Sequence, residues 1–154
     1  MRKEKELGGA FTECTNAGSF IPLAKVDIDQ IKSMLAVAMI DFETVKEWQN
    51  KAAKESGQWN AIYKVAYDVL HTLSEAFIVF DKIKARSHEC VFAYLCEKHS
   101  ELDFDWNFFE KVRITRNRSI YYGDFVSCQQ WKEIELQINL YINTLKKVIE
   151  QKLK

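Results

Sequence analysis

The sequence predicts an all-α domain built as an antiparallel bundle of four to five helices. Three observations predict it. Apolar residues recur at three- and four-residue spacing through long stretches, no stretch alternates with period two, and one Pro and five Gly are too few for the many tight turns of an all-β domain. The 154 residues, 47% hydrophobic and 29% charged, suffice for one domain with a packed core.

Residues 1–26, punctuated by Gly8, Gly9, Gly18 and Pro22, read as an N-terminal arm or loop with room for one short helix, and residues 27–154 as the bundle. The first strong helix starts at Asp27, whose carboxylate with Gln30 fits an N-terminal cap. Ile31, Met34, Leu35, Ala38, Phe42, Val45 and Trp48 form its apolar face, and Gly57 reads as its C-terminal cap. A second helix is expected from Trp59 to Lys84. Ser87 then caps a third, expected to be the most buried because Cys90 to Cys96 is apolar all round. The stretch KHSELDF reads as a loop. Asp105 caps a fourth helix that Gly123 ends, and Ser127 with Gln130 forms a capping box for the last. The three long helices are about 25 residues each, hence roughly 37 Å long.

Lys plus Arg equals Asp plus Glu at 22 each, which excludes a whole-protein basic field that gathers nucleic acid but leaves room for a local patch. The longest apolar run, Met34 to Ile40, is far short of a membrane span, and the start MRKEKELGGA carries no apolar leader core. Cys14, Cys90, Cys96 and Cys128 form no CxxC pair, so a zinc ribbon, a haem attachment site and a thioredoxin-type motif are not expected. The expectation is a cytoplasmic protein with reduced thiols, no membrane contact, no metal and no cofactor. Cys90 and Cys96 read as buried small hydrophobes. Asp68 and His71 share a helical turn but read as a polar pair at a helix edge, and His88 reads as a helix-start residue able to approach a cleft in three dimensions.

The segment Lys111 to Gly123, KVRITRNRSIYYG, does not fit plain bundle logic. Lys111, Arg113, Arg116 and Arg118 occur with no acid among them. On a helix Arg113, Arg116, Asn117, Ile120 and Tyr121 share one broad face. Guanidinium forks suit phosphate, and tyrosines such as Tyr121 and Tyr122 can stack on a base or donate a hydrogen bond. The alternative is pairing of these arginines with acids such as Glu110, Asp103 and Asp124. Trp106, Phe108, Phe109, Tyr121, Tyr122 and Phe125 are more aromatics than a short helix buries, and they either mark an interface or close the end of the core.

RNRSIYYG, late in a helix and before a long amphipathic helix, resembles the signature segment of HEPN domains, all-α domains named for nucleotide binding in higher eukaryotes and prokaryotes. The order of helices also matches, RSHEC at Arg86 to Cys90 is similar to prokaryotic members, and the resemblance covers roughly residues 14–152. It implies a homodimer with the motif in a cleft at the interface, and a minimal nucleotidyltransferase as partner in a toxin–antitoxin-like module. Arg116 takes the family's Arg place and Asn117 the polar place. The place of the family's His, around residues 121 to 123, holds Tyr121, Tyr122 and Gly123. Tyrosine, with an ordinary pKa near 10, is a poor base at neutral pH, whereas histidine both takes and gives a proton there. The expected function is therefore a nucleotide- or RNA-binding subunit, with contacts from Arg113, Arg116, Asn117, Arg118, Tyr121 and Tyr122. The alternative is a metal-independent ribonuclease in which Arg116 and Asn117 act with Tyr121 or another proton donor.

Overall fold

The computed structural model describes residues 5–154; the first four residues of the predicted arm lie outside the described residues. In chain order the elements are α1 (Leu7–Asn16), β1 (Phe20–Pro22), α2 (Ile28–Lys51), α3 (Trp59–Val79), β2 (Ile83–Ala85), α4 (His88–Lys98), α5 (Trp106–Tyr122) and α6 (Cys128–Lys152). The all-α reading holds for the bulk of the chain. It is corrected by one two-stranded antiparallel ribbon, with Phe20 opposite Ala85 and Pro22 opposite Ile83.

Local chemistry sets the helix starts. Asp27 accepts from the Gln30 amide, Ser87 from Cys90 and Asp105 from Asn107. Ser127 and Gln130 form a reciprocal capping box. Gly123 ends α5 at φ +69°, in the left-handed region where a Cβ would be strained.

The helix ends differ more from expectation. α2 stops at Lys51, before Gly57, where Ala52 turns extended and Trp59 Nε1 donates to the Ala53 carbonyl at 3.0 Å. α3 stops at Val79, five residues early. Lys82 turns at φ +59° and the chain enters β2, whose pairing with β1 satisfies backbone groups that a longer helix would have used internally. The expected loop at KHSELDF contains a short 3₁₀ turn, Ser100–Leu102. The segment read as an arm carries α1, with Gly8 and Gly9 inside it, and β1.

α3 is the central and most buried helix, with 14 of its 21 residues buried, a place expected for α4. It packs against α2, α4, α5 and α6. Trp131 of α6 is fully buried and meets Tyr63 edge-on at 6.4 Å between ring centres. Phe92 of α4 stacks on Phe109 of α5 at 4.4 Å. The motif-bearing α5 is thus pinned by its first half, since Trp106, Phe108 and Phe109 are buried, while Tyr121, Tyr122 and Phe125 at its far end are exposed. The six aromatics divide evenly between closing the core and standing in solvent.

Cys14 and Cys90 form a disulfide that joins α1 to the first turn of α4. This corrects the reading of Cys90 as a small hydrophobe and of the thiols as uniformly reduced. Cys96 is a buried free thiol, and Cys128 is free and half-buried. No described helix is long and apolar enough to cross a membrane.

Candidate anion-binding cleft between the starts of α4 and the end of α5

The cleft forms where the start of α4 faces the later turns of α5, with α3 as its floor. Ser87, His88 and Glu89 line one wall, and Arg113, Arg116, Asn117 and Tyr121 the other, around about 450 Å³. Four of the residues singled out in the sequence therefore converge, as the three- and four-residue spacing on one helix face requires. The other two do not. Arg118 points to a separate surface depression with Ile114, Phe125 and Gln130 and pairs with Asp124 at 2.9 Å. Tyr122 is 79% exposed and lines neither.

The two arginines of the cleft differ in commitment. Arg113 makes a two-pronged pair with Glu110, Nε to Oε1 and Nη2 to Oε2, both at 2.9 Å, and its Nη2 lies 3.7 Å from Glu89. Burial works against the Arg113 charge, and Glu110 outweighs it, so its pKa stands above the usual value. Arg116 is held loosely. Its Nη1 donates to Asn117 Oδ1 at 3.2 Å, its Nη2 reaches Asp68 Oδ1 at 3.4 Å, and the guanidinium lies 5.1 Å from the Tyr67 ring centre. Its Nε is buried with no acceptor among the described residues. A charged donor left without a partner costs more than a neutral one, so Arg116 is the group with unspent hydrogen-bonding capacity.

His88 approaches the cleft, as the sequence allows, and brings with it Tyr67, His71 and Asp68 of α3, which the sequence does not assign to the site. His88 Nδ1 lies 2.9 Å from the Tyr67 hydroxyl, and the His88 ring stacks on His71 at 3.6 Å between centres. Burial, then Arg116 and Arg113, hold the His88 pKa below its ordinary value. His71 is pushed down to about 3, by burial first and then by His88 and Arg116. Burial raises the Tyr67 pKa, against the pull of Arg116 and Arg113, so Tyr67 stays a phenol. Asp68 is raised by burial despite Arg116. One signal for the floor was present: Tyr67, His71 and Ser74 put polar groups on the apolar stripe of α3.

Asp68 and His71 are thus not an edge pair. Asp68 meets Arg116, and His71 is buried with Nε2 3.1 Å from Glu75 Oε1, in a geometry that makes no hydrogen bond. No cluster of three or more His, Cys, Asp or Glu positioned for a metal occurs among the described residues. His99, read as a loop residue, caps α4 and sits between Asp81 and Glu101, at 2.5 and 2.8 Å, away from the cleft. No protein-family model, curated protein or solved structure matches the chain.

Proposed function

We propose that the chain is a HEPN-like nucleotide- or RNA-binding subunit that seats a phosphate at Arg116. The observation that carries this reading is the loosely held Arg116 guanidinium lining a cleft shared with Asn117, Arg113, Tyr121 and His88. A phosphate oxygen would meet the Arg116 guanidinium at Nη1 and Nη2, which are held only at 3.2 and 3.4 Å, and the Tyr121 ring, 71% exposed, offers a stacking face for a base. The exposed Tyr121, Tyr122 and Phe125 fit a homodimer that covers this end of α5; a minimal nucleotidyltransferase as partner in a toxin–antitoxin-like pair follows from the resemblance of RNRSIYYG to HEPN domains alone.

The test is titration of a fluorescently labelled RNA oligonucleotide into the wild type and Arg116→Ala at two salt concentrations. The reading expects binding that weakens as salt rises and a loss of at least tenfold in the variant. Equal affinity in both proteins would leave Arg116 as part of an internal polar network.

A second reading is favoured by His88. An imidazole in the cleft supplies the acid–base group that tyrosine supplies poorly, so a metal-independent endoribonuclease would use Arg116 and Asn117 on the phosphate and His88, with Tyr121, on the protons. RNA cleavage in EDTA by the wild type, absent in Arg116→Ala and in His88→Gln, would establish it.

A further inference from the structure

The charges around the cleft do not favour a bare anion. The guanidinium groups of Arg113 and Arg116 face three carboxylates, those of Glu110, Glu89 and Asp68, and the Lys5 ammonium, 3.5 Å from Glu89, brings the cations to three as well. Arg113 is already engaged on both prongs by Glu110. An incoming phosphate therefore adds a negative charge with no counter-charge to a site whose own charges already cancel, in a partly desolvated setting where uncompensated charge is costly.

Histidine is the side chain that changes charge most readily near neutral pH. The cleft wall contains one, His88, on the first turn of α4. Its Nδ1 is taken by the Tyr67 hydroxyl, which can accept as well as donate, so Nε2 remains for a ligand. His71 below it is unsuited, because it is buried and sits against the face of His88. Two stacked imidazoles 3.6 Å apart do not both take a proton, so the pair holds one at most.

We infer that a phosphate diester enters this cleft together with one proton from solvent, taken up by His88, so that the bound state is a phosphate–imidazolium pair beside Arg116. This rests on the phosphate-binding reading above and adds the charge state of the complex. The groups facing His88 set the direction. From α3 these are Tyr67, Asp68 and His71, and from α4 Glu89. From α5 they are Arg113, Arg116 and Tyr121, with Glu110 behind Arg113. In the free protein the two arginines oppose a proton on His88. A phosphate between them and the ring reverses that field. Affinity then rises as pH falls from the bound-state pKa to the free-state pKa, by up to about tenfold per pH unit, and levels off below. Asp68 is the competing acceptor: protonating it would release Arg116 instead.

The probe is the trideoxynucleotide d(AAA) without terminal phosphates. Its two diesters do not titrate near neutral pH, and it has no 2′-hydroxyl to support cleavage. Calorimetry at pH 7.5 in two buffers of different ionisation heat gives the protons taken up per molecule bound. The expected result is a positive uptake of at most one in the wild type, close to zero in His88→Gln, and unchanged from the wild type in Asp68→Asn. Histidine NMR on the wild type provides a check that needs no variant: the His88 titration midpoint should move upward when d(AAA) is added. Binding without proton uptake, or uptake that survives in His88→Gln and disappears in Asp68→Asn, overturns the inference while leaving phosphate binding intact. No binding of d(AAA) or RNA by the wild type overturns the phosphate-binding reading, and this inference with it.

Discussion

His71 and His88 lie ring on ring, 3.6 Å between centres with planes 26° apart, one buried on α3 and the other at the wall of a cleft on α4. The buried member makes folding sensitive to acid. Its folded pKa of about 3 lies below the unfolded value near 6.5, so the folded state binds fewer protons. Stability is fully present above the unfolded pKa and falls as pH drops through 6.5 toward the folded value, with a limiting slope of about 1.4 kcal/mol per pH unit. Urea midpoints at pH 7.5 and pH 5 should therefore separate more in the wild type than in His71→Asn. An equal separation in both would remove His71 as the source of the acid sensitivity.

The Arg113–Glu110 pair predicts a large effect from a small change. Both side chains are mostly buried, at 15% and 7% exposed. Glu110→Gln removes the two-pronged partner, leaves the guanidinium only Glu89 at 3.7 Å, and should cost about 3 kcal/mol, seen as a Tm lower by roughly 6–12 °C. The double variant Arg113→Met, Glu110→Gln should recover part of that loss, because no charge is then stranded. Additive losses in the thermal melts would argue that the pair is not coupled.

The disulfide should be a principal stabiliser. Cys14 and Cys90 are 76 residues apart in sequence, and a loop of that size predicts about 4 kcal/mol from restriction of the unfolded chain. Cys14→Ser, or reduction with a phosphine, should lower the Tm and expose α1 to proteolysis first, since only Ala10 and Cys14 of that helix are buried. A melt unchanged by the phosphine would show that the bond contributes nothing.

Self-association can be tested at the far end of α5. Phe125 is 84% exposed and Tyr122 79%. If a second copy covers them, sedimentation velocity should give a dimer for the wild type and a shift to monomer in Phe125→Ser, with the circular dichroism spectrum unchanged. A wild-type monomer at high micromolar concentration would sink the dimer.

What could be read from the sequence was local. Asp27, Ser87, Asp105, Ser127 and Gly123 each act on backbone groups within a few residues, so the helix starts and the end of α5 were visible in the string. The β1–β2 ribbon was not, because three residues per strand give no period to detect. The Cys14–Cys90 bond joins positions whose spacing carries no signature. The convergence of Arg113, Arg116, Asn117 and Tyr121 followed from helical spacing. The meeting of His88 with Tyr67 and His71 is tertiary, made by the way α4 crosses α3, and no window along the chain contains it.

The bond between Cys14 and Cys90 also turns α2 and α3 into parts of a closed covalent circuit. Their connection, residues 52–58, is largely exposed and is the natural place for a protease to nick the chain. A nick there would open the circuit without releasing anything: the piece with α1 and α2 stays attached through sulfur to the piece with α3 to α6. On a non-reducing gel the nicked protein would run as one species, and only reductant would divide it in two.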